Sequence, residues 1–348
     1  MKMLITGNLG YVGPPLVKEL RRVYPDAVLM GFDVGYFAKY VTSPTISPDH
    51  YLDLQYYGDV RKFTEDILSG VDTVIHLSAI SNDPIGNKFE QVTLDINFRA
   101  TQSVAQKAKE KGVRNFVFAS SCSVYGFAQD TPRTEDSSLN PLTAYAKSKV
   151  YSEDALSRLA DQTFKVTCLR FATACGISER LRLDLVLNDF AAGAVANGDI
   201  TILSDGTPWR PLINVKDMAR AIIWSREREA QSGGDFLIVN TGSNAWNYQV
   251  KELAEAIQTF LPQTRISINK DAQPDKRSYR VDFSLFEQLA PHHQPLYDLP
   301  TTIRELVEGL QRIGFNDRNF RSSNLIRLNV IHELIGSGVV DDNLAIAR

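Results

Sequence analysis

Met3-Leu4-Ile5, then glycines at 7, 10 and 13, then a helix-compatible run to Val23: this opening order constrains the fold more than any other feature of the chain. A buried strand has to turn sharply into a helix. Glycines three residues apart let backbone N–H groups approach whatever sits at that turn, because no side chain stands in the way. Strand, glycine turn and helix N-terminus form a ready anion site with the spacing of a dinucleotide pyrophosphate loop. Pro14 and Pro15 agree with this, since prolines in a first helical turn remove only N–H groups that have no intrahelical acceptor.

Strand signals at 2–6, 27–32, 71–77, 115–119, 165–171 and 236–240 alternate with helix signals at 11–23, 89–111, 144–159 and 215–227. That alternation predicts a doubly wound parallel sheet with helices on both faces. Gly112 follows the second helix as a C-cap does. After Gly176 the alternation loosens. Val250, Leu253, Ala254 and Ile257 mark an amphipathic helix at 250–260. With 348 residues and 43% hydrophobic content, the expected organisation is a nucleotide-binding domain at 1–176 rejoined by 212–245, and a smaller substrate-binding lobe from 177–211 and 246–300. Residues 301–348 read as a helical extension without a functional assignment.

A formal net charge of -3 and a pI near 6.0 give no basic field for a polyanion, which excludes nucleic acid as the expected partner. Cys122, Cys168 and Cys175 are odd in number and fall on strands or strand ends, which suits a reducing compartment without disulfides. The first strand begins almost at Met1, leaving no room for a leader, and no apolar run approaches the ~20 residues of a membrane span. A soluble cytoplasmic protein without a membrane or metal partner is expected.

The chemistry sits in three places. Asp33 ends the second strand, twenty residues past Gly13, where a carboxylate accepts adenosine ribose hydroxyls and repels a 2′-phosphate; the expected cofactor is NAD. Asp59 and Val60 end a later segment within reach of the adenine, and Leu77-Ser78-Ala79 leave the strand carrying His76. Tyr145 and Lys149 fall four apart on one helix face. There an ammonium lowers the phenol from its ordinary pKa near ~10, so the tyrosine can take a proton from an alcohol while hydride leaves the same carbon. Ser121, on Ser120-Ser121-Cys122-Ser123-Val124-Tyr125-Gly126, ends a strand beside them.

Together these motifs resemble the extended short-chain dehydrogenase/reductase family, in its nucleotide-sugar epimerase and dehydratase group, over roughly residues 1–290. The resemblance implies a Rossmann-type fold, bound NAD and a nucleotide-sugar substrate. It makes Ser121, Tyr145 and Lys149 the catalytic set and the turn Gly7, Asn8, Leu9, Gly10, Tyr11, Val12, Gly13 the nucleotide loop. Asn97 becomes the helix asparagine that supports the site, and Arg210 the grip on a substrate diphosphate. Arg180 and Arg182 extend that cationic wall, and Cys122, Ser123, Thr173 and Arg277 complete the expected substrate side. A homodimer through the helices at 89–111 and 144–159 is implied as well.

Departures narrow the reaction. The Asp-Glu pair of the family's 4,6-dehydratases is replaced by Cys122 and Ser123, and the cysteine of its 3,5-epimerizing members is out of register. Thr173 and Cys175 stand where Asn and Tyr are usual, and Ala272-Gln273-Pro274-Asp275 lacks the arginine of the Arg-x-Gly-Asp pattern, with Arg277 and Arg280 nearby. The expected activity is epimerization through a transient keto-sugar. A ketosugar reductase and a noncatalytic dinucleotide sensor or scaffold are the alternatives.

Overall fold

The computed structural model describes residues 1–42, 47–81, 83–128, 131–269 and 278–347. Twelve strands are numbered along it: β1 Lys2–Thr6, β2 Val28–Asp33, β3 Leu54–Tyr57, β4 Thr73–His76, β5 Asn115–Ser121, β6 Lys165–Phe171, β7 Thr173–Cys175, β8 Asp199–Ile202, β9 Trp209–Asn214, β10 Phe236–Thr241, β11 Asn247–Gln249 and β12 Arg265–Ile268.

Seven of these form one sheet in the order β10-β6-β5-β4-β1-β2-β3, with all six pairings parallel. Growth of the sheet reverses between β1 and β4, and a doubly wound sheet opens its ligand crevice there, above the carboxyl ends of the strands. Apolar residues fill both sides of the central strands, as the near-continuous runs Met3-Leu4-Ile5 and Phe116-Val117-Phe118 require. One face packs on Leu16 and Leu20 of helix Gly13–Val23 and on Ile222 and Ile223 of helix Val215–Glu227. The other packs on Ile96, Val104 and Leu156, and also on Val330, Ile331 and Leu334 from the far end of the chain.

The long helix expected at 89–111 is interrupted. Helix Glu90–Leu94 passes through a π turn, Asp95–Arg99, into helix Ala100–Glu110. The carbonyl of Asn97 in that turn accepts the hydroxyls of Thr101 at 2.6 Å and Ser152 at 3.0 Å. Periodicity does not register such a widening, because the buried residues Val92, Ile96, Ala100, Val104 and Ala108 recur at every fourth position across it, as they can in an uninterrupted helix.

Two small sheets lie outside the main one, β11-β9-β7 and β12-β8, and all of their strands except β7 follow Gly176. Helix Val186–Asn197 lies among them; its nearly uniform apolar sequence carries no helical period, and it passes unmarked in the pattern. The extension is helical only in part. Leu299–Arg312 and Arg327–Gly336 are α-helices, whereas the glycine, asparagine and serine residues between them make turns and one short 3-10 segment. Among the described residues no helix is long and apolar enough to cross a membrane.

Candidate active site

A cavity of about 990 Å³ opens at the reversal between β1 and β4, at the top of the ~300–1,000 Å³ range of small-molecule sites. Its floor is the glycine turn. Gly7 has φ +77 and donates its N–H to Phe32 O at 2.8 Å; a Cβ there would lie 2.6 Å from the Ser78 backbone nitrogen. A Cβ on Gly13 would lie 1.7 Å from Asn8 O, so this glycine lets the helix approach its own loop. Gly7, Gly10, Tyr11 and Val12 line the cavity. Asn8 and Leu9 do not: Asn8 donates to Gln55 Oε1 at 2.6 Å, and the Leu9 N–H goes to Asp33 Oδ2 at 3.1 Å. Their part is to shape the turn.

Asp33 borders the cavity and also accepts the Gly35 N–H at 2.8 Å. Burial raises its carboxyl above the ordinary value, and those two N–H donors pull it back. Asp59 and Val60 border the same end. Asp59 is the cap of turn Val60–Lys62 and grips Arg61 through both carboxylate oxygens. Leu77, Ser78 and Ala79 form the wall opposite.

Asn97 stands behind that wall. Its amide clamps Ile80 from both sides, accepting the Ile80 N–H at 2.8 Å and donating to Ile80 O at 2.9 Å. The π turn presents it for this. Thr101 gives its hydroxyl proton to Asn97 O, so His76 Nε2–H donates to Thr101 while Nδ1 accepts from Thr6; the tautomer is assigned from this network. Burial pushes His76 down to about 3, which keeps it neutral and structural.

Ser121, Tyr145 and Lys149 meet on the cavity's inner wall. Thr143 caps the helix Ala144–Ser157, with its hydroxyl accepting from the Ala146 N–H at 3.2 Å, and Tyr145, Lys149 and Glu153 follow one another along a single face. Lys149 Nζ donates to Ala119 O at 2.6 Å and lies 4.6 Å from the Phe118 ring centre and 5.4 Å from that of Tyr145. Burial brings its ammonium down to about 7, with Glu153 acting in the opposite sense. Ser121 Oγ accepts the Ser123 N–H at 3.2 Å, which leaves its own proton for a ligand.

Behind this wall lies a buried chain of polar groups. Arg170 grips Glu153 at 2.9 and 2.7 Å, Ser120 donates to Glu153 at 2.5 Å, and Arg170 reaches Tyr125, whose hydroxyl donates to Asn240. Nothing in the local sequence marks this set, because its members come from four separate segments.

The substrate side divides. Ser123, Thr173, Arg182 and Arg210 line the cavity. Arg182 is held by Asp184 at 2.7 and 3.0 Å and by Ser81 at 2.9 Å, within electrostatic reach of the Tyr145 phenol. Cys122 does not face the cavity. It is 1% exposed and donates its thiol to Arg170 O at 3.0 Å, and burial pushes its pKa up, so it belongs to the core. Arg180 is also turned away: it is 1% exposed and pairs with Asp49 at 2.8 Å. Arg277 lies outside the described residues. Sequence reasoning passed over Phe37, Ser81, Asp184 and, from the extension, Ile326, Arg327 and Ile331, all of which line the cavity.

Residues 3–240 match the NAD dependent epimerase/dehydratase family. The chain belongs to this family. Among curated relatives, UDP-glucose 4-epimerase of Lactobacillus helveticus is 26% identical over 274 residues, covering 74% of this chain and 82% of the relative. UDP-glucuronic acid decarboxylase 4 of Arabidopsis thaliana is 24% identical over 332 residues, covering 93% of this chain and 71% of the relative. The solved UDP-glucuronic acid 4-epimerase from Bacillus cereus, in complex with UDP-glucuronic acid and NAD, superposes with a TM-score of 0.75 at 20% identity, covering 90% of this chain and all of that one, which shows the shared fold.

NAD is the family's cofactor, and the cavity fits it. Gly7 and Gly13 sit where a side chain would close the turn, and Asp33 borders the cavity beside it, a carboxylate of the kind that accepts ribose hydroxyls. Among the described residues no cluster of His, Cys, Asp and Glu could hold a metal ion. The three cysteines are free and buried.

Proposed function

We propose that this protein is a nucleotide-sugar epimerase working through a transient keto-sugar, with Tyr145 as its proton carrier and a UDP-sugar as its substrate. The observation that carries this reading is the meeting of Ser121, Tyr145 and Lys149 with the glycine turn in one cavity, while Cys122 points into the core. Bound NAD supplies a hydride acceptor that becomes the donor in the return step. Tyr145 takes the proton of the sugar hydroxyl being oxidised, and the Lys149 ammonium favours the phenolate that does so. Ser121 donates to the same sugar oxygen and orients it. After the ketone has turned within the cavity, Tyr145 returns the proton and the centre is inverted.

Arg182 and Arg210 are assigned to the substrate diphosphate, since guanidinium groups bind phosphate oxygens through paired hydrogen bonds. We assign the lobe at 177–211 and 246–300 to the nucleotide sugar. A cytoplasmic homodimer through the helices at 89–111 and 144–159 belongs to the same reading; Phe98 and Tyr151, one from each, meet edge to face at 5.5 Å with Tyr151 45% exposed. Sedimentation velocity checks it, and a monomer would count against that pairing. Decarboxylation is the second reading, favoured by the Arabidopsis relative's match along 93% of the chain.

The test is turnover of UDP-glucose, UDP-N-acetylglucosamine and UDP-glucuronic acid in deuterated water, followed by NMR. The expected product is an epimer without carbon-bound deuterium, lost by ~10²–10⁴-fold in Tyr145→Phe and little changed in Cys122→Ala. Carbon-bound deuterium with an inactive Cys122→Ala would sink the keto-sugar route. Carbon dioxide from UDP-glucuronic acid would replace it with decarboxylation, and stoichiometric consumption of reduced cofactor with reductase chemistry.

A further inference from the structure

Arg327 opens the helix Arg327–Gly336 and is 3% exposed, yet it lines the cavity. Its guanidinium lies 4.1 Å from the centre of the Phe37 ring, just past the end of β2, and Nη2 donates to Arg180 O at 3.1 Å. Nη1 is buried and has no hydrogen-bond partner among the described residues. Arg180 has Asp49 and Arg182 has Asp184, whereas no carboxylate among the described residues lies within ion-pair distance of Arg327. Burial, and next the neighbouring Arg182, lower it to about 9, so it is still a cation at neutral pH; Asp184 and Asp33 act on it only from beyond ion-pair distance, and the buried Nη1 is left for an anionic ligand.

The place of the guanidinium says which anion. Its charge reaches Asp184 and, further off, Asp33 beside the glycine turn. Ser178 donates to Tyr11 O at 2.7 Å and Tyr11 donates to Gly176 O at 2.5 Å, so the segment that meets Arg327 is tied to the glycine turn itself. Arg182, the neighbouring cation, is already paired with Asp184 and reaches toward Tyr145 as well. A negative group between Asp33 and the glycine turn is the diphosphate of a dinucleotide.

We propose that Arg327 is a cofactor-binding residue that grips the diphosphate of NAD from the side opposite the glycine turn, so that the C-terminal segment closes the nucleotide site as a clasp. The segment is built to stay in place. Val330, Ile331 and Leu334 share one apolar cluster with Phe32, Val60 and Phe63; Glu333 is held by Tyr40 and Lys39; and the carbonyl of Leu344 accepts from Tyr36 and Arg61. The inference rests on the cavity holding NAD and not on which sugar reaction follows.

Calorimetric titration of the full-length, cofactor-stripped protein tests it with four probes: NAD, ADP, adenosine and UDP. Arg327→Gln should weaken NAD and ADP by ~10–100-fold, the range of a charge-assisted bond to phosphate, flatten the salt dependence of NAD binding, and leave adenosine and UDP within ~3-fold. Arg327→Lys should recover part of the loss by keeping the charge. NAD and ADP affinities unchanged in Arg327→Gln would overturn the inference. So would a loss confined to UDP, which would give the guanidinium to the substrate, or equal losses for all four probes that Arg327→Lys does not repair. A wild-type protein that binds no NAD would instead overturn the cofactor assignment beneath it.

Discussion

Replacing Lys149 by methionine should make the cofactor-free protein more stable while it removes most activity. Lys149 is 3% exposed, and burial brings its ammonium from 10.5 to about 7. Because the folded value is depressed, the unfolded chain holds a proton that the folded one lacks between pH 7 and 10.5. Wild-type stability therefore rises with pH across that window, and the cost of the buried lysine is complete below pH 7. At about 1.4 kcal/mol per pH unit the cost at pH 6 is at most about 5 kcal/mol. Loss of the 2.6 Å bond to Ala119 O returns about 1–2 kcal/mol of it. Methionine keeps an unbranched stem against Phe118 and Tyr145, so little packing is lost. The net gain is about 3 kcal/mol at pH 6 and close to zero at pH 9.5, where the folded lysine is already neutral. With an unfolding entropy of ~2 cal/mol/K per residue, the melting temperature should rise by about 4 °C at pH 6. Calorimetric melts of both proteins at pH 6 and pH 9.5 decide it. A gain that is absent at pH 6, or the same at both values, would refute burial as the force that tunes this lysine. In the remaining turnover of the variant the acid limb of the pH–rate profile should move up, because the Tyr145 phenolate loses its neighbouring cation.

Glu153→Gln should lower stability by about 3–5 kcal/mol, because it leaves the Arg170 guanidinium buried without its counter-charge. The double variant Glu153→Leu/Arg170→Met should recover most of that, and denaturant melts that place Glu153→Gln within 0.5 kcal/mol (about one experimental error) of wild type would show that the pair contributes nothing. Gly13→Ala forces a Cβ to within 1.7 Å of Asn8 O, so the loop has to move. NAD affinity should fall by at least ~10-fold alongside a loss of about 1–3 kcal/mol in stability, and unchanged binding in a titration would contradict the role given to that turn.

What could be read in the sequence was whatever depends on neighbours along the chain. Lys2–Thr6, Lys165–Phe171, Val215–Glu227 and Val250–Phe260 have the bounds that their periodicity and flanking residues predict. The glycine turn and the Tyr145/Lys149 spacing are local too, and the structure brings both to one cavity. Arg180 differs because its fate is decided by Asp49, 131 positions earlier in the sequence. Its position among basic residues resembles a binding wall, whereas a partner from a distant loop makes it a core ion pair. Cys122 follows a cavity-facing serine, yet the 3-10 turn Cys122–Tyr125 rotates its thiol toward Arg170 O. Glu153 and Arg170 read as an ordinary helix acid and strand base until the fold places them together. Arg327 carries no local mark at all, and only the docking of its helix beneath Phe37 gives it a site.

The union of Tyr36 with the carbonyl of Leu344 bridges 308 positions, and that sets an order on synthesis. At ~5–20 residues per second, the ribosome takes roughly 15–60 s to make the chain between the two. Throughout that interval the first strands can pair while the apolar surface of Phe32, Val60 and Phe63, later covered by Val330 and Leu334, stays bare. Contacts of such long range also form late in refolding, since the loop they close costs entropy before it returns any energy. Until then the nascent protein presents a sticky, half-built nucleotide pocket, a surface that chaperones would recognise. If Arg327 grips NAD as proposed, binding of the cofactor would favour the docked helix by mass action once it emerges.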